Sequence, residues 1–197
     1  LNLKKWLFLF WTTLVVGAVG SLIVGLLLQW TNTVELNGTA DFLVNIGILF
    51  GVGVMVSVYS QMGFFAYMMI NYMGTGVFSR MTWLYIQIVL TALALLELMF
   101  FRTFVGREDK GSSDLMFGII VFATACVVAY FKVKMTNRSA WVPTLFFMIA
   151  VTIVEIVGVL KIGVDQATAW IAAPLIACNA YQILILHRVL KPVPKTA

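Results

Sequence analysis

Hydrophobic residues fall into six long runs along this chain, at about 6–30, 42–70, 81–103, 115–134, 141–161 and 167–187, separated by short, polar, turn-rich stretches. The runs are continuous rather than alternating, which argues against strands of a membrane barrel. A hydrocarbon core ~30 Å thick needs about 20 helical residues, and every run is long enough. The pattern predicts an all-α fold, an integral membrane bundle of six transmembrane helices. No linker could separate domains, so residues 1–197 read as one unit.

Composition strengthens this reading. Hydrophobic residues make up 62% of the chain and charged residues 11%, with a mean hydropathy of +1.02. A soluble domain is about half apolar and about a quarter charged. The excess of bases over acids, 13 against 8, needs no nucleic acid to explain it, because the cytoplasmic flanks of membrane helices collect Lys and Arg. With the N-terminus inside, Lys4, Lys5, Arg80, Lys132, Lys134, Arg138, Arg188, Lys191 and Lys195 lie on inner flanks. Only Arg102, Arg107, Lys110 and Lys161 lie outside, nine bases against four. Both termini are therefore expected in the cytoplasm, in a multi-pass protein of the cell membrane. The acids Glu35, Asp41, Glu108, Asp109, Asp114 and Asp165 fall outside. Trp6, Trp11, Trp83 and Trp141 would mark the inner boundary, and Trp30 and Trp170 the outer one, because indole rings prefer headgroup level.

The start, Leu-Asn-Leu-Lys-Lys before an apolar run, looks like a signal peptide. The run is too long for one and no small-x-small cleavage site comes after it, so it is read as a retained first helix. Because the chain begins at Leu1, either a few residues precede it or the start codon was translated as leucine. Cys126 and Cys178 lie in apolar runs and read as packing residues. His187 is the one histidine, so a multi-histidine metal or haem site is excluded, and no cofactor is expected. The loop at 102–114, with Gly106 and Gly111, reads as a solvated connector.

Three constellations carry possible function. Gly17, Ser21 and Gly25 place small residues on one face of the first helix, and Gly47 and Gly51 do so on the second. Small residues four apart let backbones approach closely, either within the bundle or toward a partner helix. Second, Gly53, Ser57, Ser60, Gln61 and Phe64 share a face of the second helix. With Gln87, Asn179 and Gln182 they could form an inner amide network, or a polar pocket open to the cytoplasm. Third, Glu97 and Glu155 lie inside apolar helices, in the outer half by residue count. A carboxylate in hydrocarbon costs about 2.5–3.5 kcal/mol on insertion scales and marks a candidate site. They could share a site and a proton, or pair with Arg102 and Lys161 as those bases snorkel back. Pro174 predicts a kink in the sixth helix; Pro143 sits harmlessly in the first turn of the fifth.

The most distinctive stretch is Ser60-Gln61-Met62-Gly63-Phe64-Phe65-Ala66-Tyr67, continuing to Gly74-Thr75-Gly76-Val77-Phe78, with Ser57 shortly before it. It resembles the KinB-signalling pathway activation protein family (KbaA) of spore-forming Firmicutes, and the size, six-span layout and basic inner tail are similar over essentially the whole chain. The resemblance implies a positive modulator of a membrane sensor histidine kinase that feeds the sporulation phosphorelay. It implies no enzyme activity and no catalytic residues. The competing reading is a small transporter or channel built on the two acids, against which stands the missing internal repeat. A lipid enzyme would need an acidic metal cluster or a nucleophile with a nearby base.

Overall fold

The computed structural model describes residues 3–31, 39–104, 111–160 and 166–190, all in helices and the tight turns between them. The helices are α1 (Leu3–Thr31), α2 (Thr39–Val77), α3 (Arg80–Phe104) and α4 (Gly111–Met135), then a 3-10 turn (Arg138–Ala140), α5 (Trp141–Phe146), a five-residue π turn (Phe147–Val151), α6 (Thr152–Leu160) and α7 (Gln166–Val189). Helical dihedrals persist through both ends of the π turn, at Phe146 (φ −57°, ψ −47°) and Thr152 (φ −61°, ψ −39°). The stretch from Trp141 to Leu160 is therefore one rod with a widened turn inside it. No strand occurs among the described residues.

Five helices are long and apolar enough to cross a membrane: Leu3–Gln29, Ala40–Val77, Arg80–Met99, Leu115–Met135 and Arg138–Ile156. At 24 residues, α7 has the length at ~1.5 Å per residue, but Asn179, Gln182 and His187 dilute its apolar character. Asn179 and Gln182 are fully buried among the other helices, so neither amide lies on the outer surface of the bundle.

Contacts give the directions of α1, α2, α3, α7 and the α5–α6 rod. Lys5 Nζ donates to the Arg188 carbonyl at 3.5 Å, the Cys178 thiol lies 3.8 Å from the Thr13 carbonyl, and the backbone of Gly20 faces Pro174. Rising numbers on α1 thus meet falling numbers on α7. By the same test α2 is antiparallel to α1, to α3 and to the α5–α6 rod, and parallel to α7. The start of α1 and the end of α7 lie at one end of the bundle, as an up-and-down arrangement requires.

The tightest packing is between α1 and α2. Leu9, Thr13, Gly17, Ser21 and Gly25 recur every four residues and are all buried, forming a stripe one helical ridge wide. A Cβ on Gly53 would fall 2.5 Å from the Gly17 carbonyl oxygen and 2.7 Å from Ala18 Cα, so no larger residue fits at this crossing. Gly25 closes against Leu49. Gly47 and Gly51 are not part of this contact: both are exposed or partly exposed, with nothing within 4 Å of a Cβ built on either. At ~100° per residue they point well away from Gly53 and Ser57, the residues that α1 and α7 meet. Gly17→Leu should cost about 2 kcal/mol or more by forcing the backbones apart, whereas Gly47→Leu and Gly51→Leu should be tolerated. Thermal denaturation of the detergent-solubilised variants would read the difference.

Between α2 and α3 the chain turns within two residues. Ser79 caps α3, its Oγ accepting the Thr82 N–H at 3.3 Å. Phe78 stacks on Trp83 with centroids 6.2 Å apart and planes 5° apart, and the Trp83 indole covers Gly74 at a distance that leaves no room for a side chain. Trp83 is therefore a buried residue of the hairpin between α2 and α3. Pro174 lies inside α7, which remains helical across it. Trp30 and Trp170, and the loop residues Gly106 and Arg107, lie outside the described side chains or residues.

Candidate functional site: a buried polar chain around Glu155

A connected line of polar side chains runs through the interior where α2, α6 and α7 meet. Ser60 Oγ donates to Asn179 Oδ1 at 2.6 Å. The Asn179 amide nitrogen donates to Thr152 Oγ1 at 2.9 Å and to Glu155 Oε2 at 2.6 Å. Gln182 Nε2 donates to Ser60 Oγ at 3.2 Å. Ser60, Thr152, Asn179 and Gln182 are fully buried and Glu155 is 4% exposed. Asn179 is the hub, since both of its amide hydrogens and its oxygen are used.

A second line ties α1 into the same region. Ser57 Oγ donates to the Gly53 carbonyl at 2.8 Å and lies 3.9 Å from Cys178 Sγ, while Gln61 Nε2 reaches the Phe10 carbonyl at 3.3 Å. Every one of these bonds except Ser57 to Gly53 crosses between helices. In a membrane such bonds are worth ~0.6–2 kcal/mol each and fix which helices pair.

Glu155 is admitted by a glycine. The position of a Cβ on Gly63 is already taken by Glu155 Oε1, with the carboxyl carbon 2.6 Å and Cγ 3.0 Å away. The carboxyl group therefore lies against Gly63 on α2. Aromatic rings close the site along the helix: Phe64 meets Phe147 with centroids 5.6 Å apart, and Tyr67 meets Phe147 at 4.8 Å. Phe147 opens the π turn, whose first four residues are all buried. A π turn inserts about one extra residue into a helix and rotates the residues after it. Here those residues include Thr152 and Glu155, which face Asn179.

The segment singled out in the sequence is thus a receiving surface. Ser60, Gly63, Phe64 and Tyr67 accept the hub, the carboxyl group and the π turn, and Gly74 to Phe78 build the hairpin to α3.

Three expectations change. Glu155 belongs with Ser60, Asn179 and Gln182 rather than at a separate depth. Counting depth from the helix ends presumes level helices of equal length, but α2 has 39 residues and is met midway. Gln87 stands apart from that chain: its Nε2 and the Trp83 indole N–H both donate to Asn71 Oδ1, at 3.2 and 3.0 Å. Glu97 is exposed on α3 and makes no hydrogen bond among the described residues, so it does not share a site with buried Glu155. The side chains of Arg102 and Lys161 lie outside those described, and with them both proposed ion pairs. Sequence reasoning passes over Thr152, Asn71 and the role of Gly63. For Gly63 the one available signal is its place between Ser60 and Phe64 on a face already marked as polar.

Two buried acceptors in the chain, Glu155 Oε1 and Gln182 Oε1, have no hydrogen-bond partner. Gln182 also lines, with Gln61, Trp6 and Phe10, a gap of about 10 Å³, room for about one water. No group of three metal-ligating side chains occurs among the described residues. The arrangement can hold helices together; it provides no nucleophile–base pair.

No solved structure matches this chain. A relative from Bacillus subtilis (strain 168), named KinB-signaling pathway activation protein, is 30% identical over 187 residues, covering 91% of this chain and 93% of the relative. The profile of the family described as KinB-signalling pathway activation in sporulation matches residues 17–189, a range that takes in Gly17, the receiving surface on α2, the π turn and the polar hub on α7, and the chain belongs to that family.

Proposed function

We propose that this protein is a non-enzymatic integral membrane activator of a membrane sensor histidine kinase in the KinB branch of sporulation signalling, and that it acts by helix–helix contact within the bilayer. Six helices cross the membrane, with both termini in the cytoplasm. The observation that carries this reading is the use of the interior polar groups: Ser57, Ser60, Gln61, Thr152 and Asn179 bond to one another or to neighbouring backbone, and Glu155 and Gln182 are each tied into the same chain through one polar atom. The interior is glue, and what remains to meet a partner is the outer surface of the helices. The Bacillus subtilis relative's name supports the pathway.

A transporter would need a polar path between the two faces. Among the described residues, the gap beside Gln61 and Gln182 is about 10 Å³, room for about one water, and it is lined mostly by apolar side chains.

Two experiments test the reading. Expressed in a sporulating host whose own KinB-pathway activation protein is deleted, the chain should restore sporulation when the kinase is present and not when it is absent. Restoration without the kinase would contradict it. Reporter fusions at the C-terminus and in the 31–41 and 104–113 loops should report inside, outside and outside; a C-terminus reporting outside would overturn the topology.

A further inference from the structure

The bundle gathers bases at one end. The start of α1 and the end of α7 meet there, with Lys5 Nζ donating to the Arg188 carbonyl at 3.5 Å. The last turn of α4 joins them. Lys132 is buried, and its Nζ donates to the Ile183 carbonyl at 2.6 Å, about one helical turn before His187. Lys134 in that same turn of α4, Arg188 in the last turn of α7, and Lys4 are all exposed. Five bases from three helices far apart in sequence thus share one end. No Asp or Glu lies in residues 1–34, 115–154 or 166–197, the stretches that build it.

Bases in the last turn of a helix are ordinarily answered by the helix dipole, about half a unit of negative charge at each C-terminus. The ends of α4 and α7 together offer about one unit, and the start of α1 presents the opposite sign. Positive charge is left over. Apolar side chains stand among these bases on the surface: Leu3 and Leu7 near Lys4, Met135 beside Lys134 and Leu190 past Arg188 are all exposed. Trp6, next to Lys5, packs on Phe65 with ring centroids 5.7 Å apart. A water-soluble acidic segment would leave those apolar groups wet. A phospholipid covers them with its acyl chains while its headgroup meets the bases.

We infer that this basic end, with Lys134 and Arg188 at its surface, binds anionic phospholipid headgroups of the leaflet it faces, those of the phosphatidylglycerol class. The inference takes from the function proposed above only that the chain crosses the membrane; the orientation given there makes the leaflet the cytoplasmic one. Phosphatidylcholine carries the same phosphate with its own cation, so net charge separates the two lipids.

Native mass spectrometry of the detergent-solubilised chain, given phosphatidylglycerol and phosphatidylcholine at equal concentration, reads that preference. The parent should retain the anionic lipid in excess. Lys134→Gln combined with Arg188→Gln should lower its retention at least about fivefold, the worth of a single base at an anionic surface. Both side chains are exposed, so the double variant should keep the parent's thermal midpoint in phosphatidylcholine; Lys134→Gln alone carries the same test where the double variant fails to accumulate. Equal retention of the two lipids by the parent would overturn the inference, and so would undiminished retention of phosphatidylglycerol by the variant. Displacement of the lipid by excess inorganic phosphate would assign the bases to a free phosphate. Displacement by the full-length kinase would assign them to an acidic segment of that protein. Either result contradicts the inference. Kinase-dependent sporulation is a separate readout, so failure here leaves the proposed function standing.

Discussion

Gly63→Leu should prevent the bundle from assembling. The new side chain would begin where Glu155 Oε1 sits, with the carboxyl carbon 2.6 Å from its Cβ. Neither side can yield cheaply, since α2 is held by α1 at Gly53 and the carboxyl group is tied to Asn179 at 2.6 Å. Even Gly63→Ala should cost about 3 kcal/mol, the upper part of the range for overpacking a filled interior, because it also breaks a buried hydrogen bond. The distinctive result is rescue. Glu155→Ala removes the obstructing group, so Gly63→Ala combined with Glu155→Ala should be less damaged than the sum of the two single variants, by about 1–2 kcal/mol. Thermal midpoints of the four purified proteins in detergent give the coupling. Additive losses would mean that Gly63 and Glu155 do not meet.

Asn179→Leu is expected to be nearly as harmful, for a different reason. Leucine fits the volume, but Ser60 loses its acceptor and Thr152 and Glu155 lose their donor, all of them buried. Stranding several buried polar groups at ~1–3 kcal/mol each should cost about 3 kcal/mol or more. Glu155→Gln should cost less, because it keeps an oxygen for Asn179 to reach. If Asn179→Leu is as stable as the parent, the polar chain does not hold the bundle together.

Periodicity decides which parts of this fold are legible in the sequence, and register decides which are not. The α1 stripe is visible because Leu9, Thr13, Gly17, Ser21 and Gly25 repeat every four residues. The inner face of α2 is visible for the same reason. The choice among its glycines is not: Gly47, Gly51 and Gly53 are all small, and only packing decides that Gly53 meets α1. Residue type is enough to group Ser60, Asn179 and Gln182, whereas depth counted from the loops sets Glu155 apart from them. The π turn between Phe147 and Val151 leaves no mark in the apolar pattern, yet it turns Thr152 and Glu155 toward Asn179. Asn71, near the end of a long helix, carries no signal of its own in the sequence, while in the fold it collects the Trp83 indole and the Gln87 amide.

The claim that this chain activates a kinase by contact within the membrane is met most directly by reconstitution. The full-length kinase would be inserted into lipid vesicles alone or with this chain, and its autophosphorylation rate measured. The account predicts a higher rate when the chain shares the bilayer with the kinase and no increase when the two occupy separate vesicles. An unchanged rate with the parent chain correctly inserted and folded beside the kinase would contradict it.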